Sequence, residues 1–279
     1  HLRQFGIAPV LDLPGVGSNL QDHLAVTLSF ARREPSPFRA LMRADRAARA
    51  MAQAYLFGTG PATALPGGAT AFLRTRDGLA VPDIQFFLRG TALGADLWFP
   101  GWRKPYADAF TITPVLLHPE ARGRLYLRSA DPKDKVRIVH NFLTRENDLR
   151  SLRGGIRLAR NLARQPALAR WRGAELVPGE AAETDTALDQ WVRRMARSAH
   201  HPSCSCTMAG PDAPLDPDLR VKGIDRLRVV DASAMPDLVS GNINACVLMI
   251  AEKASDLIRG RPNLMASATA DALTPSSPR

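Results

Sequence analysis

Apolar, strand-like stretches alternate with polar turns through the middle of the chain. Between about residues 69 and 143, five short stretches read ATAFLRT, DIQFFLR, AFTITPVLLHP, GRLYLRS and VRIVHNFL. Each is rich in β-branched, aromatic or leucine residues, and EARG and SADPKD separate the last three as turns. This pattern predicts an antiparallel sheet. A period near 3.6 flanks it. ADRAARAMAQAYLF is an alanine-rich helix pattern stopped by Gly58 and Gly60. Residues 145 to 164 carry Leu149, Leu152, Ile156, Leu158, Ala159 and Leu162 at the spacing of one helix face, and a second amphipathic helix covers about 184 to 197. Further on, RLRVVDAS reads as a buried strand, and a long helix runs from about 243, after SGN, to 259, before Gly260. Near the start, PVLDLPGVGSNLQDH (9 to 23) reads as a short strand entering a turn at Gly15 and Gly17, followed by polar Asn19, Gln21, Asp22 and His23. Residues from 263 onward are rich in Ser, Thr, Ala and Pro and are expected to form a disordered tail.

Composition narrows the function classes. With 37 basic against 27 acidic residues the formal charge is +10. The basic residues are mostly arginines scattered over every kind of element, and no basic block is interleaved with stacking aromatics, so no nucleic-acid partner is expected. Peripheral contact with an anionic lipid surface stays open. No run of 18 apolar residues occurs, as a membrane-spanning helix would need. The first residues lack both a starting Met and the basic-then-apolar order of a signal peptide, so the chain reads as though it begins mid-protein. Three cysteines suit a reducing compartment, and the expected location is cytoplasmic, with membrane association allowed.

The densest chemistry lies in AHHPSCSCTMAG, residues 199 to 210. Three readings compete for it. A zinc or thiol site would use His201, Cys204 and Cys206, but the CxC spacing and the lack of a second ligand pair downstream fit tetrahedral zinc poorly, so no metal is expected. A loop packed through small sulfur side chains is the plainer alternative. A single reactive imidazole is the third. The company favours the third: LRVVDASAMPDLVSGNINACVLMIAEKASDLI places strand, turn and helix in order, and such turns aim backbone N–H groups at an electron-rich ligand. Asn242 is either an ordinary helix cap or a ligand-facing amide.

HPSCSCTM (201 to 208), RVVDASAMP (228 to 236) and SGNINACVLMIAEKASDLI (240 to 258) together resemble the C-terminal part of the glucose–methanol–choline (GMC) oxidoreductases. HLRQFGIAPVLDLPGVGSNLQDHL resembles a segment that follows the flavin-domain SGIG element of that family. The resemblance extends from residue 1 to about 260, and HPSC points to the choline dehydrogenase branch. It implies an FAD enzyme that oxidises a primary alcohol, choline or similar, to the aldehyde. A quinone or the respiratory chain is favoured over oxygen as electron acceptor. By the same resemblance His201 is the base, Asn242 its partner, and Asp231, Ala232 and Asn244 contact the flavin. His200 receives no role.

The implied fold is α+β with α/β elements: an antiparallel substrate-domain sheet with flanking helices, plus a remnant of the FAD-binding domain. The expected division is 1–30 and 198–262 for the FAD-binding part, 31–197 for the substrate-binding part, and 263–279 for the tail. The N-terminal Rossmann-like portion is expected to be missing, because no GxGxxG occurs: GVGSNL has Leu20 where the third glycine belongs. A cofactor-less, non-catalytic binding protein descended from the family is the alternative. Trp98, Phe99, Trp102 and Tyr106 are candidates for a cation-binding aromatic cluster.

Overall fold

Seven strands, all paired antiparallel, build the main sheet of the computed structural model, which describes residues 1–64, 68–179 and 181–261. In chain order they begin with β1 (Leu24–Ala25), β2 (Leu28–Arg32), β3 (Gly68–Leu73), β4 (Ile84–Arg89) and β5 (Ala109–Leu116). A separate two-stranded ribbon follows, β6 (Arg124–Tyr126) with β7 (Arg137–Val139), and the main sheet resumes with β8 (Arg172–Val177) and β9 (Arg197–Ser198). The helices are α1 (Pro37–Leu41), α2 (Ala44–Phe57), α3 (Glu146–Arg164), α4 (Asp185–Met195) and α5 (Asn244–Ile258). The expected tail lies outside the described residues.

Strand β5 is the spine. One edge pairs with β4, which pairs with β3; the other edge pairs with β1 and β2 in a single register, Leu24↔Leu116 through Ala31↔Ala109. The break between β1 and β2 falls opposite Thr113 and Pro114, where proline has no N–H for the ladder. Strands β9 and β8 then line β1 and β2.

One face of the sheet is closed by α3. Leu149, Leu152, Ile156, Ala159 and Ala163 are buried against Leu28, Ile84, Phe86 and Ile112, with Leu188, Trp191 and Val192 of α4 completing the cluster. Gly155 permits the close approach: a Cβ there would stand 3.0 Å from Pro114 Cβ. Buried arginines pin the layer, Arg153 to Asp189 of α4 and to Glu146, and Arg160 to Glu175 of β8. A second buried cluster collects Cys204, Leu215, Leu219, Ala234, Met235, Leu238, Ile250 and Ala254, with Leu13 packed on it.

Helices α2, α3, α4 and α5 fall where the periodicity puts them. Four expectations need correction. GRLYLRS and VRIVHNFL form the separate ribbon rather than extending the main sheet. PVLDL is not a strand: Val10 is 95% exposed, and the stretch is held instead at Gly15, where a methyl would overlap the Asp212 carbonyl oxygen. RLRVVDAS is not a strand either. Its valines are only half-buried, its sole bridge is Arg228 to Arg220, and it ends in a 3₁₀ turn at Ala232–Ala234. Finally, the cap position of α5 is Ile243, without a side-chain cap, so Asn242 is no helix cap.

Candidate active site

The loop bearing His201 is strung between two other segments of the chain. On one side GSNLQDH runs antiparallel to it. Gly17 donates its N–H to Ser205 O at 2.8 Å, and Gln21 and Ser203 exchange main-chain hydrogen bonds of 3.1 and 2.9 Å. Ala199 donates to His23 O at 2.8 Å. On the other side Cys204, Cys206 and Met208 donate to the carbonyls of Ala232, Ser233 and Ala234 at 2.9–3.1 Å. Three motifs that are far apart in the chain thus lie side by side.

The pairing is uneven, and that pushes His201 forward. Register is fixed at Gln21↔Ser203 and again at Leu24↔Ser198. Between these points two residues, Asp22 and His23, face four, Ala199 to Pro202. The excess bulges. His200 and Cys204 adopt left-handed backbone, φ 63° and 67°, a conformation that costs side chains other than glycine and needs outside support. Asp22 supplies it: the carboxylate, 2% exposed, accepts the His201 N–H at 3.0 Å and the Ser198 hydroxyl, whose oxygen accepts the His200 N–H at 2.9 Å.

His23 meets the imidazole itself. It is wholly buried, its Nδ1 lies 2.9 Å from His201 Nδ1, and its Nε2 lies 3.0 Å from Val239 O and 3.2 Å from Leu117 O. Burial lowers its pKa to about 4, and the His201 ring pushes the same way. His201 is half-buried; burial lowers its pKa too, with Asp22 opposing and His200 assisting. An imidazole so placed is unprotonated at neutral pH and able to take a proton.

Asn242 is exposed and is reached from β4, where buried Gln85 donates from Nε2 to its Oδ1 at 3.2 Å. No hydrogen bond joins Asn242 to His201: His201 bonds to His23, which bonds to Val239 O, while Asn242 bonds separately to Gln85. Asp231 is exposed, and its Oδ1 caps the 3₁₀ turn by accepting the Ser233 N–H at 2.7 Å. Ala232 touches the His201 loop through its carbonyl, and Asn244 opens α5 with its side chain exposed. Sequence reasoning missed Asp22, His23 and Gln85 as site residues. Their signal was the polar run in LQDH and a glutamine among apolar neighbours in DIQFF, but burial of those side chains is a tertiary fact.

Cys204 and Cys206 pack in the second buried cluster. Cys204 is fully buried with its pKa pushed up to about 11 by burial, and burial raises Cys206 as well. No group of three or more His, Cys, Asp or Glu that could hold a metal ion occurs among the described residues. The four aromatic residues form no ring-to-ring contacts: Trp98 donates to Arg39 O, and Trp102 already lies under the Arg103 guanidinium.

Residues 119–251 match the family model described as GMC oxidoreductase, in its C-terminal form. Over those residues the chain is similar to the C-terminal GMC oxidoreductase domain. All five expected site residues fall inside that GMC match, whereas Asp22, His23 and Gln85 precede it. The chain is 39% identical over 264 residues to a protein named oxygen-dependent choline dehydrogenase from Pseudomonas aeruginosa strain LESB58, covering 94% of this chain and 46% of the relative. It thus spans about half the length of the curated relatives it matches. The structure of pyridoxine 4-oxidase from Mesorbium loti superposes on this chain with a TM-score of 0.74 at 27% identity, covering 94% of this chain and 47% of that one. An FAD-dependent oxidoreductase from Chaetomium thermophilum shares the fold, with a TM-score of 0.77 at 20% identity over 93% of this chain and 51% of that one.

Proposed function

We propose that this chain carries the base and the oxygen-holding amide of an FAD-dependent oxidation of a primary alcohol, choline or a similar one, to the aldehyde. The observation that carries the reading is His201: a half-buried imidazole whose main chain is clamped by Asp22 and whose ring is held by His23. His201 takes the hydroxyl proton. Asn242, with Oδ1 engaged by Gln85, turns its Nδ2 hydrogens toward the alcohol oxygen and steadies negative charge as it develops there. FAD, when bound, supplies the acceptor for the hydride that leaves the adjacent carbon.

The residues present suit such a group. The first intrahelical bond of α5 is Val247 N–H to Ile243 O, so the N–H groups of Asn244, Ala245 and Cys246 precede it without a side-chain cap. Leu248 and Met249 on the same helix are more than half exposed, so α5 offers donors and an apolar surface together. Asp231, Ala232 and Asn244 would hold the cofactor from the adjoining turn and helix start. We read residues 31–197 as the substrate-binding part and 1–30 with 198–262 as the FAD-binding part. The second buried cluster, with Leu13 packed on it, supports this reading for 198–262 and the start of the chain, whereas Leu24, Val26, Leu28 and Phe30 pack in the first cluster with the main sheet.

In a full-length protein containing this chain, His201→Ala lowers single-turnover flavin reduction by about 10²–10⁴-fold while circular dichroism stays native. An unchanged rate removes the assignment. For the electron acceptor the reading is a quinone or the respiratory chain. The relatives' name sets oxygen as its competitor, and reoxidation in the same protein with either acceptor separates them. No helix among the described residues is long and apolar enough to cross a membrane. For location the reading is cytoplasmic; peripheral contact with anionic lipid is supported by the +10 charge and by exposed Tyr55, Leu56 and Phe57 at the end of α2, and co-sedimentation with anionic vesicles tests the contact.

A further inference from the structure

We infer that His23 is a positioning residue that holds His201 in the Nδ1–H tautomer, leaving His201 Nε2 as the atom that accepts the proton; this rests on the reading of His201 as the base. The argument is one of hydrogen counting. Main-chain carbonyls can only accept, and two of them, Val239 O at 3.0 Å and Leu117 O at 3.2 Å, face His23 Nε2. That nitrogen therefore carries a hydrogen. His23 is wholly buried and no carboxylate bonds to its ring, so it is the neutral imidazole, with one N–H and one lone pair. The lone pair is on Nδ1. It points at His201 Nδ1 across 2.9 Å, a distance at which two lone pairs would repel, so the hydrogen between the rings belongs to His201. A neutral His201 then has its own lone pair on Nε2.

The arrangement differs from a base backed by a carboxylate, in which an aspartate orients the imidazole and steadies its cation. Here the nearest carboxylate, Asp22, is engaged with the His201 main chain and Ser198 rather than with the ring. The groups facing His23 are His201 and His118, and those facing His201 are Asp22 and His200, besides each other. A neutral orienting ring fixes the tautomer without drawing a proton onto His201 in advance. When His201 Nε2 takes the hydroxyl proton, Nδ1 keeps its hydrogen and His23 neither gains nor loses one, so the balance closes on a single imidazolium.

Long-range ¹H–¹⁵N correlation on the chain labelled at its histidines, near neutral pH, reads both tautomers directly. The expected spectrum has His201 protonated at Nδ1 alone and His23 at Nε2 alone. His23→Leu turns the His201 signal into a mixture of tautomers, and His23→Asn, which offers an acceptor in the same place, restores the single form. His201 protonated at Nε2 in the unmodified chain overturns the inference, as does a His201 tautomer that His23→Leu leaves unmoved. Should His23→Leu fail to fold, the spectrum of the unmodified chain decides alone. A single Nδ1–H tautomer together with full flavin reduction in His201→Ala removes the role as base and leaves the tautomer lock standing.

Discussion

Asp22 shows how much a single buried carboxylate can organise. It satisfies the His201 N–H and the Ser198 hydroxyl, and through Ser198 the His200 N–H, at the point where the loop takes its left-handed turn. Asp22→Ala strands these donors, and a buried donor without a partner costs about 1–3 kcal/mol. The urea midpoint should fall accordingly, with Asp22→Asn, which keeps an acceptor oxygen, falling less; equal losses for both variants would contradict the clamp. At this scale the sequence offers His201 and Asn242 as the groups of the proposed chemistry. His201 and Asn242 stand in motifs whose residue types suit the chemistry. Asp22, His23 and Gln85 were not readable as site residues, because a polar side chain looks alike in one sequence whether water or a second histidine surrounds it.

Elements were readable in proportion to their length. Helix α3 spans 19 residues, and its apolar spacing names the buried face before any coordinate does. Strands β1 and β9 have two residues each, too few for a period, and exist because β5 and the His201 loop supply partners. RLRVVDAS fails for the opposite reason: it has strand-like residues but only one bridge to pair with. The packing of α3 makes a paired prediction. Ile156→Ala opens a cavity under the sheet and costs about 2–5 kcal/mol. Gly155→Leu overfills the contact with Pro114 and costs about 1–3 kcal/mol. Denaturant midpoints check both, and a neutral Gly155→Leu would mean that α3 can back away from the sheet.

At the scale of the whole molecule the site depends on contacts between residues about 180 positions apart, so it forms only when the chain has folded around it. Global stability should therefore report on the buried histidine. The unfolded imidazole titrates near 6.5 and the folded one near 4, so His23 binds a proton more readily when unfolded. The associated stability is complete above pH 6.5 and is lost as pH falls toward 4, by up to about 3 kcal/mol. The His201 ring, also lowered, adds to the loss, whereas Asp148, raised by burial, opposes it at the acid end. Urea unfolding at pH 7 and pH 5 should show a smaller difference in His23→Asn than in the unmodified chain; equal differences would place the titration elsewhere. A last consequence concerns the two residues that face four beside His201. The reach of the imidazole is set by a mismatch in segment length, so its depth in the site is inherited as a count of codons. Deletions and insertions between 199 and 202 are the changes that would move it, and a library of substitutions never samples them.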